Sequence, residues 1–164
     1  MSNKPFTRAR DVAAHITTLL AGISKDNGYE TDIGAARVFR GKRKIDDSHV
    51  PCAVLLEGED KPGSTQGPAS QQVTQSYVLG GYAPCDADQP NDTAHQIIAD
   101  IKKAVFTIKD ATRAEEISGS TTFGGRVKSV TYRGRDIGPR TDGVAIVFAV
   151  VHIDVVFVEQ LTAA

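Results

Sequence analysis

Tryptophan is absent from the 164 residues, cysteine occurs only twice, and the formal net charge is −1. The near-neutral balance excludes a global field that would draw the chain to nucleic acid or to an acidic membrane surface. Any contact with DNA must therefore come from a local patch. Cys52 and Cys85 lie far apart and form no CxxC pair, so a zinc site or redox motif has no support. Both are expected to be reduced thiols of a cytosolic protein. The first six residues, Met1-Ser-Asn-Lys-Pro-Phe, lack an apolar signal core, and no secretion through a signal peptide is expected. The longest apolar run, residues 144–158, is broken by His152 and Asp154 and is too short and too β-branched for a membrane helix. No membrane contact is expected. Internal repeats, coiled-coil heptads, GxSxG, GxGxxG and Walker patterns are also missing.

What is present reads as one domain over residues 1–164, with a flexible N-terminus at residues 1–6. Val12, Ile16, Leu19, Leu20 and Ile23 recur at helical spacing within residues 7–25, and Asn27-Gly28 supplies a stop. Short strands are expected at residues 36–40 and 52–57, the second opened by Pro51. Residues 58–71, rich in Gly, Pro, Ser and Thr, read as a long mobile loop. A third strand at residues 72–82 alternates Val73, Tyr77 and Leu79 against Thr74, Ser76 and Val78. Three successive strands suggest an antiparallel meander.

A second helix is expected after Pro90, with Asn91 as its N-cap and Asp92 at the positive end of the dipole. Its stripe is Ile97, Ile98, Ile101, Val105 and Ile108. Burying five such side chains contributes roughly 8–15 kcal/mol before entropy is subtracted, more than capping offers. The helix should therefore be held by docking on a sheet. A second mobile loop at residues 110–125, a strand at 126–133 and a last strand at 143–159 complete the order α-β-β-β-α-β-β. That order implies an α+β fold, a largely antiparallel mixed sheet with two helices packed on one face.

The last strand is apolar on both faces. Ala145, Val147, Ala149, Val151, Ile153, Val155 and Phe157 alternate with Val144, Ile146, Phe148, Val150, His152, Asp154, Val156 and Val158. Two helices cover only one face of a single sheet. The even set, Ile146, Phe148, Val150, His152, Asp154 and Val156 in particular, is thus a candidate subunit interface. Cover by long loops is the alternative.

Chemistry has few places to reside. His152 and Asp154 could orient a general base, yet no nucleophile motif accompanies them. They read more simply as an interface polar pair. Cys85, Asp86, Asp88, Asp92 and His95 are potential metal ligands, but Pro90 breaks the calcium-loop pattern, and capping acids at a helix entry are the simpler reading. Arg37, Arg40, Lys42, Arg43 and Lys44 form one basic cluster; Arg126, Lys128, Arg133, Arg135 and Arg140 form another. Such loops are solvated surface, or contacts to an acidic partner or passing DNA. No catalytic residue, cofactor or metal is expected.

The arrangement also resembles a known family. The residues that carry the likeness are the amphipathic first helix, the Pro51-Cys-Ala-Val-Leu-Leu-Glu strand, Tyr77-Val-Leu-Gly-Gly-Tyr82, the Ala94-His-Gln-Ile-Ile-Ala-Asp-Ile101 helix, Gly124-Gly-Arg-Val-Lys-Ser-Val130 and the valine-rich last strand. Over residues 7–161 this pattern resembles the tail terminator and minor tail proteins of long-tailed bacteriophages and prophages. The resemblance implies a virion structural protein that forms a ring, usually hexameric, at the head-proximal end of the tail tube. Such a ring stops tube polymerisation and joins the head connector, with DNA later passing through its lumen without sequence specificity. The implied partners are the chain itself, the tail tube protein and the head–tail connector. The implied location is the virion, and the host cytoplasm during assembly. No active site follows from it. The basic residues Arg40, Lys42, Arg43, Lys44, Arg133, Arg135 and Arg140 are candidates for the lumen or for partner contact. Rival readings are a head–tail connector or tail tube subunit of related fold, a small enzyme built on His152, Asp154 or the 86–95 cluster, and a regulatory domain of unknown activity.

Overall fold

The computed structural model describes residues 4–42, 44–107, 122–138 and 144–163. Its regular elements are helix α1 (Ala9–Ala21), strands β1 (Val38–Arg40), β2 (Cys52–Gly67) and β3 (Ser70–Pro84), helix α2 (Pro90–Phe106), and strands β4 (Ser129–Ile137) and β5 (Ile146–Gln160). They build a five-stranded sheet in the order β1-β2-β3-β5-β4. The fold is α+β with a mixed sheet, as the element order implies.

The helices bury the stripes that their spacing predicts. Val12, Ile16, Leu20 and Ile23 are fully buried, as are Ile97, Ile98, Ile101 and Val105 on α2, while Leu19 is only half-buried. Ile108 lies outside the described residues. Both stripes join one core with the odd face of the last strand, namely Val147, Ala149, Val151, Ile153, Val155 and Phe157. Gly81 on β3 allows α2 this close. A Cβ there would run into Cγ2 of Ile97.

Several boundaries differ from the sequence reading. Helix α1 stops at Ala21 because Gly22 caps it, with the Gly22 N–H on the Leu19 carbonyl and the following Ile23 N–H on that of Leu20. The Asn27-Gly28 signal instead closes a separate 3-10 turn over Lys25–Asn27. Asn91 lies inside α2. Gln89 is the N-cap, and Pro90 takes the first helical position, where its missing N–H costs nothing.

Strand β1 pairs parallel with β2, so the first three strands are not an antiparallel meander. The expected loop at residues 58–71 is also corrected. It is a continuous β2–β3 hairpin with a tight turn after Gly67 and ladder pairs as far as Gly67↔Ser70. Its polar composition fits a ribbon exposed on both sides, held by its backbone ladder rather than by burial. Gln75 Nε2 donates to the Gly58 carbonyl (2.7 Å) and Gln71 Nε2 to that of Gly63 (2.5 Å), which ties down its irregular stretches. Strand β4 begins later than expected, because residues 123–125 turn with positive φ. It also runs further, past a bulge at Gly134, whose φ of 116° only glycine adopts without strain. Of the expected loop at 110–125, residues 110–121 lie outside the described residues.

Candidate subunit-contact surface

Strand β5 is central. It pairs antiparallel with β3 from Ser70↔Gln160 to Pro84↔Ile146, and with β4 on its other side. Direct cross-strand partners share a face. The face away from the helices therefore carries Ile146, Phe148, Val150, His152, Asp154 and Val156 beside Tyr82, Gly80, Val78, Ser76 and Thr74 of β3. No helix lies over this face among the described residues.

The sequence-predicted interface residues do share one surface, but much of their bonding capacity is used within the chain. Phe148 lies flat against the sheet, stacked on Tyr82 with ring centroids 4.3 Å apart. It fits because Gly80 and Gly138 present no side chain. A Cβ on Gly80 would sit 2.6 Å from the ring, and one on Gly138 would sit 2.7 Å from it. Val150, beside this ring, is buried.

The polar half of the face forms a linked set. His152 Nε2 lies 2.9 Å from Asp136 Oδ2 on β4. Asp154 accepts from Ser76 Oγ on β3 (2.8 Å) and from Arg133 Nε on β4 (2.9 Å). Asp154 thus joins its two neighbouring strands across the sheet. The expected His152–Asp154 pair does not form; His152 meets the Asp136 carboxylate instead. Each residue of the expected pair holds a different partner. Towards the hairpin tip, Val156 and Val158 remain half-buried.

The two basic clusters are not brought together. Arg40 ends β1 and Arg133 and Arg135 lie on β4, at opposite edges of the sheet. The latter two are strand residues, not members of a loop. Arg40 pairs with Glu57 (3.1 Å), and Lys42 Nζ sits 4.8 Å from the centroid of the Phe39 ring. Lys44 and Arg135 are exposed. Arg43 and Arg140 lie outside the described residues.

The Cys85–His95 stretch behaves as a helix entry. Asp86 accepts from the Asp88 N–H (2.9 Å), and no metal-holding group of three or more ligands exists among the described residues. Both cysteines are free. Burial pushes the Cys52 thiol up to about 11, against the smaller opposing pull of Arg37, which keeps it unreactive at neutral pH.

Two residues matter that sequence reasoning passed over. Asp100 is buried on the apolar stripe of α2 and accepts from the backbone N–H groups of Glu30 (3.1 Å) and Thr31 (2.7 Å). A carboxylate between Ile97 and Ile101 was the available signal. His15 on α1 packs between Phe6 and Phe123, with centroids 5.4 and 4.9 Å away. Burial, aided by the charge of Arg126, lowers its pKa. It borders a cleft of about 500 Å³ lined also by Leu19, Tyr29, Lys103 and Phe123.

No protein-family model matches the chain, and no curated protein sequence matches it.

Proposed function

We propose that the chain is a virion structural protein, a tail terminator that assembles into a ring at the head-proximal end of a phage tail tube. The observation that carries this reading is a sheet that, among the described residues, has no helix layer on one face and no neighbouring strand along the outer side of β4. A sheet of this kind has unmet pairing capacity, and a repeated copy of the same chain is the simplest way to meet it. In this reading the partners are further copies of the chain, a hexamer by analogy with the family it resembles, together with the tail tube protein and the head–tail connector. DNA passes through the lumen without sequence readout, consistent with a net charge of only −1. No catalytic role is assigned.

The test is electron microscopy of the protein mixed with tails assembled without it. Density capping the head-proximal end, with head joining restored, is the expected result. Long tubes formed by the protein alone would make it a tube subunit instead. Failure to bind tails of its own phage would remove the terminator role.

A further inference from the structure

The two outer edges of the sheet differ in a way that suits them to each other. Strand β4 is one edge along its whole length, because no strand pairs on its far side among the described residues. At the other edge β1 pairs only with Ala53, Val54 and Leu55 of β2. The rest of β2 projects beyond it and is exposed from Glu57 to Gln66. Each edge leaves backbone N–H and C=O groups without a partner strand, a template for a further strand.

Side-chain chemistry separates the edges. On the helix-side face, β4 presents Tyr132, Arg135 and Ile137, opposite Ile153, Val151 and Ala149 of β5. Tyr132 and Ile137 are two of the four exposed large hydrophobic residues described, at 41% and 37% exposure. On the same face, projecting β2 presents Glu57, Asp60 and Pro62, opposite Tyr77, Gln75 and Val73 of β3. One edge therefore carries a cation flanked by apolar groups, and the other carries carboxylates beside a proline. Glu57 is held by Arg40, whereas neither Asp60 nor Arg135 has an ion-pair partner among the described residues. Nine residues of β4 span about 30 Å and the exposed β2 edge slightly more, so the lengths are comparable.

We infer that the exposed edge of β2 in one copy lies beside β4 of the next, continuing the sheet head to tail with Asp60 facing Arg135. Such a contact joins two different surfaces, so it repeats until the rotation closes a ring. The closed form rests on the terminator reading above; the edge contact itself does not. Bulges flanking Asp60 and the proline at residue 62 interrupt a uniform ladder. They limit pairing to short stretches and leave charge to set the register.

The experiment uses the full chain with Cys85→Ser, leaving only the buried Cys52. Separate Asp60→Cys and Arg135→Cys chains are mixed at high concentration and treated with a short bismaleimide, which tolerates a one-pair slip in register. A cross-linked dimer in the mixture, absent from either chain alone, is expected, and a chain with both substitutions should give a ladder ending in a closed species. In parallel, Asp60→Arg or Arg135→Asp alone should weaken self-association roughly tenfold, and combining them should restore it. No cross-link in the mixture overturns the inference. So does an Arg135→Cys chain that cross-links equally well by itself, which would mean two-fold pairing of β4. A closed cross-linked ring that fails to cap tails leaves the edge contact standing and removes the terminator role. Tail capping without the cross-link does the reverse.

Discussion

Replacing Gly80 with alanine tests whether Phe148 closes the open face within the single chain. The new Cβ would lie 2.6 Å from Cε2 and 3.0 Å from Cζ of Phe148, and 3.4 Å from Cγ1 of Val150. The ring cannot stay where it is, and its stacking on Tyr82 is disturbed. Overpacking of this kind costs about 1–3 kcal/mol. Gly80 has no positive φ, so alanine also gains about 0.4–1 kcal/mol by restricting the unfolded chain. The net loss is about 0–2.6 kcal/mol, centred near ~1.3 kcal/mol, and the central value lowers Tm by roughly 3–5 °C for a chain of this size. Circular dichroism melts of Gly80→Ala, Phe148→Ala and the double variant form a cycle. Phe148→Ala alone should cost about 2–3 kcal/mol through lost burial and stacking. In its background Gly80→Ala should become stabilising, because the ring is gone. If Gly80→Ala is neutral in both backgrounds, Phe148 does not lie over Gly80, and its apolar ring would again need a partner.

Asp100→Asn should destabilise by about 1–3 kcal/mol in urea unfolding, since the Glu30 and Thr31 N–H groups bond to different carboxylate oxygens and one of these becomes an NH2 group that can only donate; an unchanged midpoint would refute this. Thiol titration of the folded protein at pH 8 should modify Cys85 first and Cys52 only on unfolding, because Cys52 is fully buried and its thiol is pushed up to about 11; equal rates would contradict that burial. His15 has a folded pKa below its ordinary value of 6.5. The unfolded chain therefore takes up this proton first, and stability present above 6.5 is lost as pH falls towards the lowered native value. His15→Gln should flatten the dependence of the urea midpoint between about pH 7 and pH 5, and an unchanged slope would show that His15 is not the group responsible.

The helices and the odd face of β5 were legible because burial imposes strict periods: Val12, Ile16 and Leu20 on one helix, Ile97 and Ile101 on the other, and alternate residues from Val147 to Phe157. The hairpin tip was not. Its residues bury nothing, so no period marks them, and the stretch around Lys61-Pro-Gly carries every sign of a loop. What holds it in strand form is backbone pairing with partners three to fifteen positions away, from Gly67↔Ser70 to Asp60↔Gln75, to which side-chain pattern is blind. The parallel pairing of β1 was hidden for the same reason. Three residues, Val38 to Arg40, have no composition that distinguishes parallel from antiparallel neighbours. Asp100 escaped notice because its partners, the N–H groups of Glu30 and Thr31, are about seventy positions away.

The open face shows why an apolar pattern is an uncertain guide to partnership. Alternation states which residues of one strand share a side, but not where that strand stands in the sheet. Strand β5 follows β4 in sequence yet lies between β4 and β3, and a central strand has neighbours on both flanks that can cover either face. Phe148 uses this directly, by lying over Gly80 and against Tyr82, and Asp154 reaches both flanking strands. An apolar second face therefore measures centrality as much as it measures contact with another molecule. An edge strand has no such resource. The exposure of Tyr132 and Ile137 on β4 is relieved by no strand of the sheet, because none lies beyond them among the described residues. The search for a partner thus moves from the face of the most apolar strand to the rim of a less apolar one.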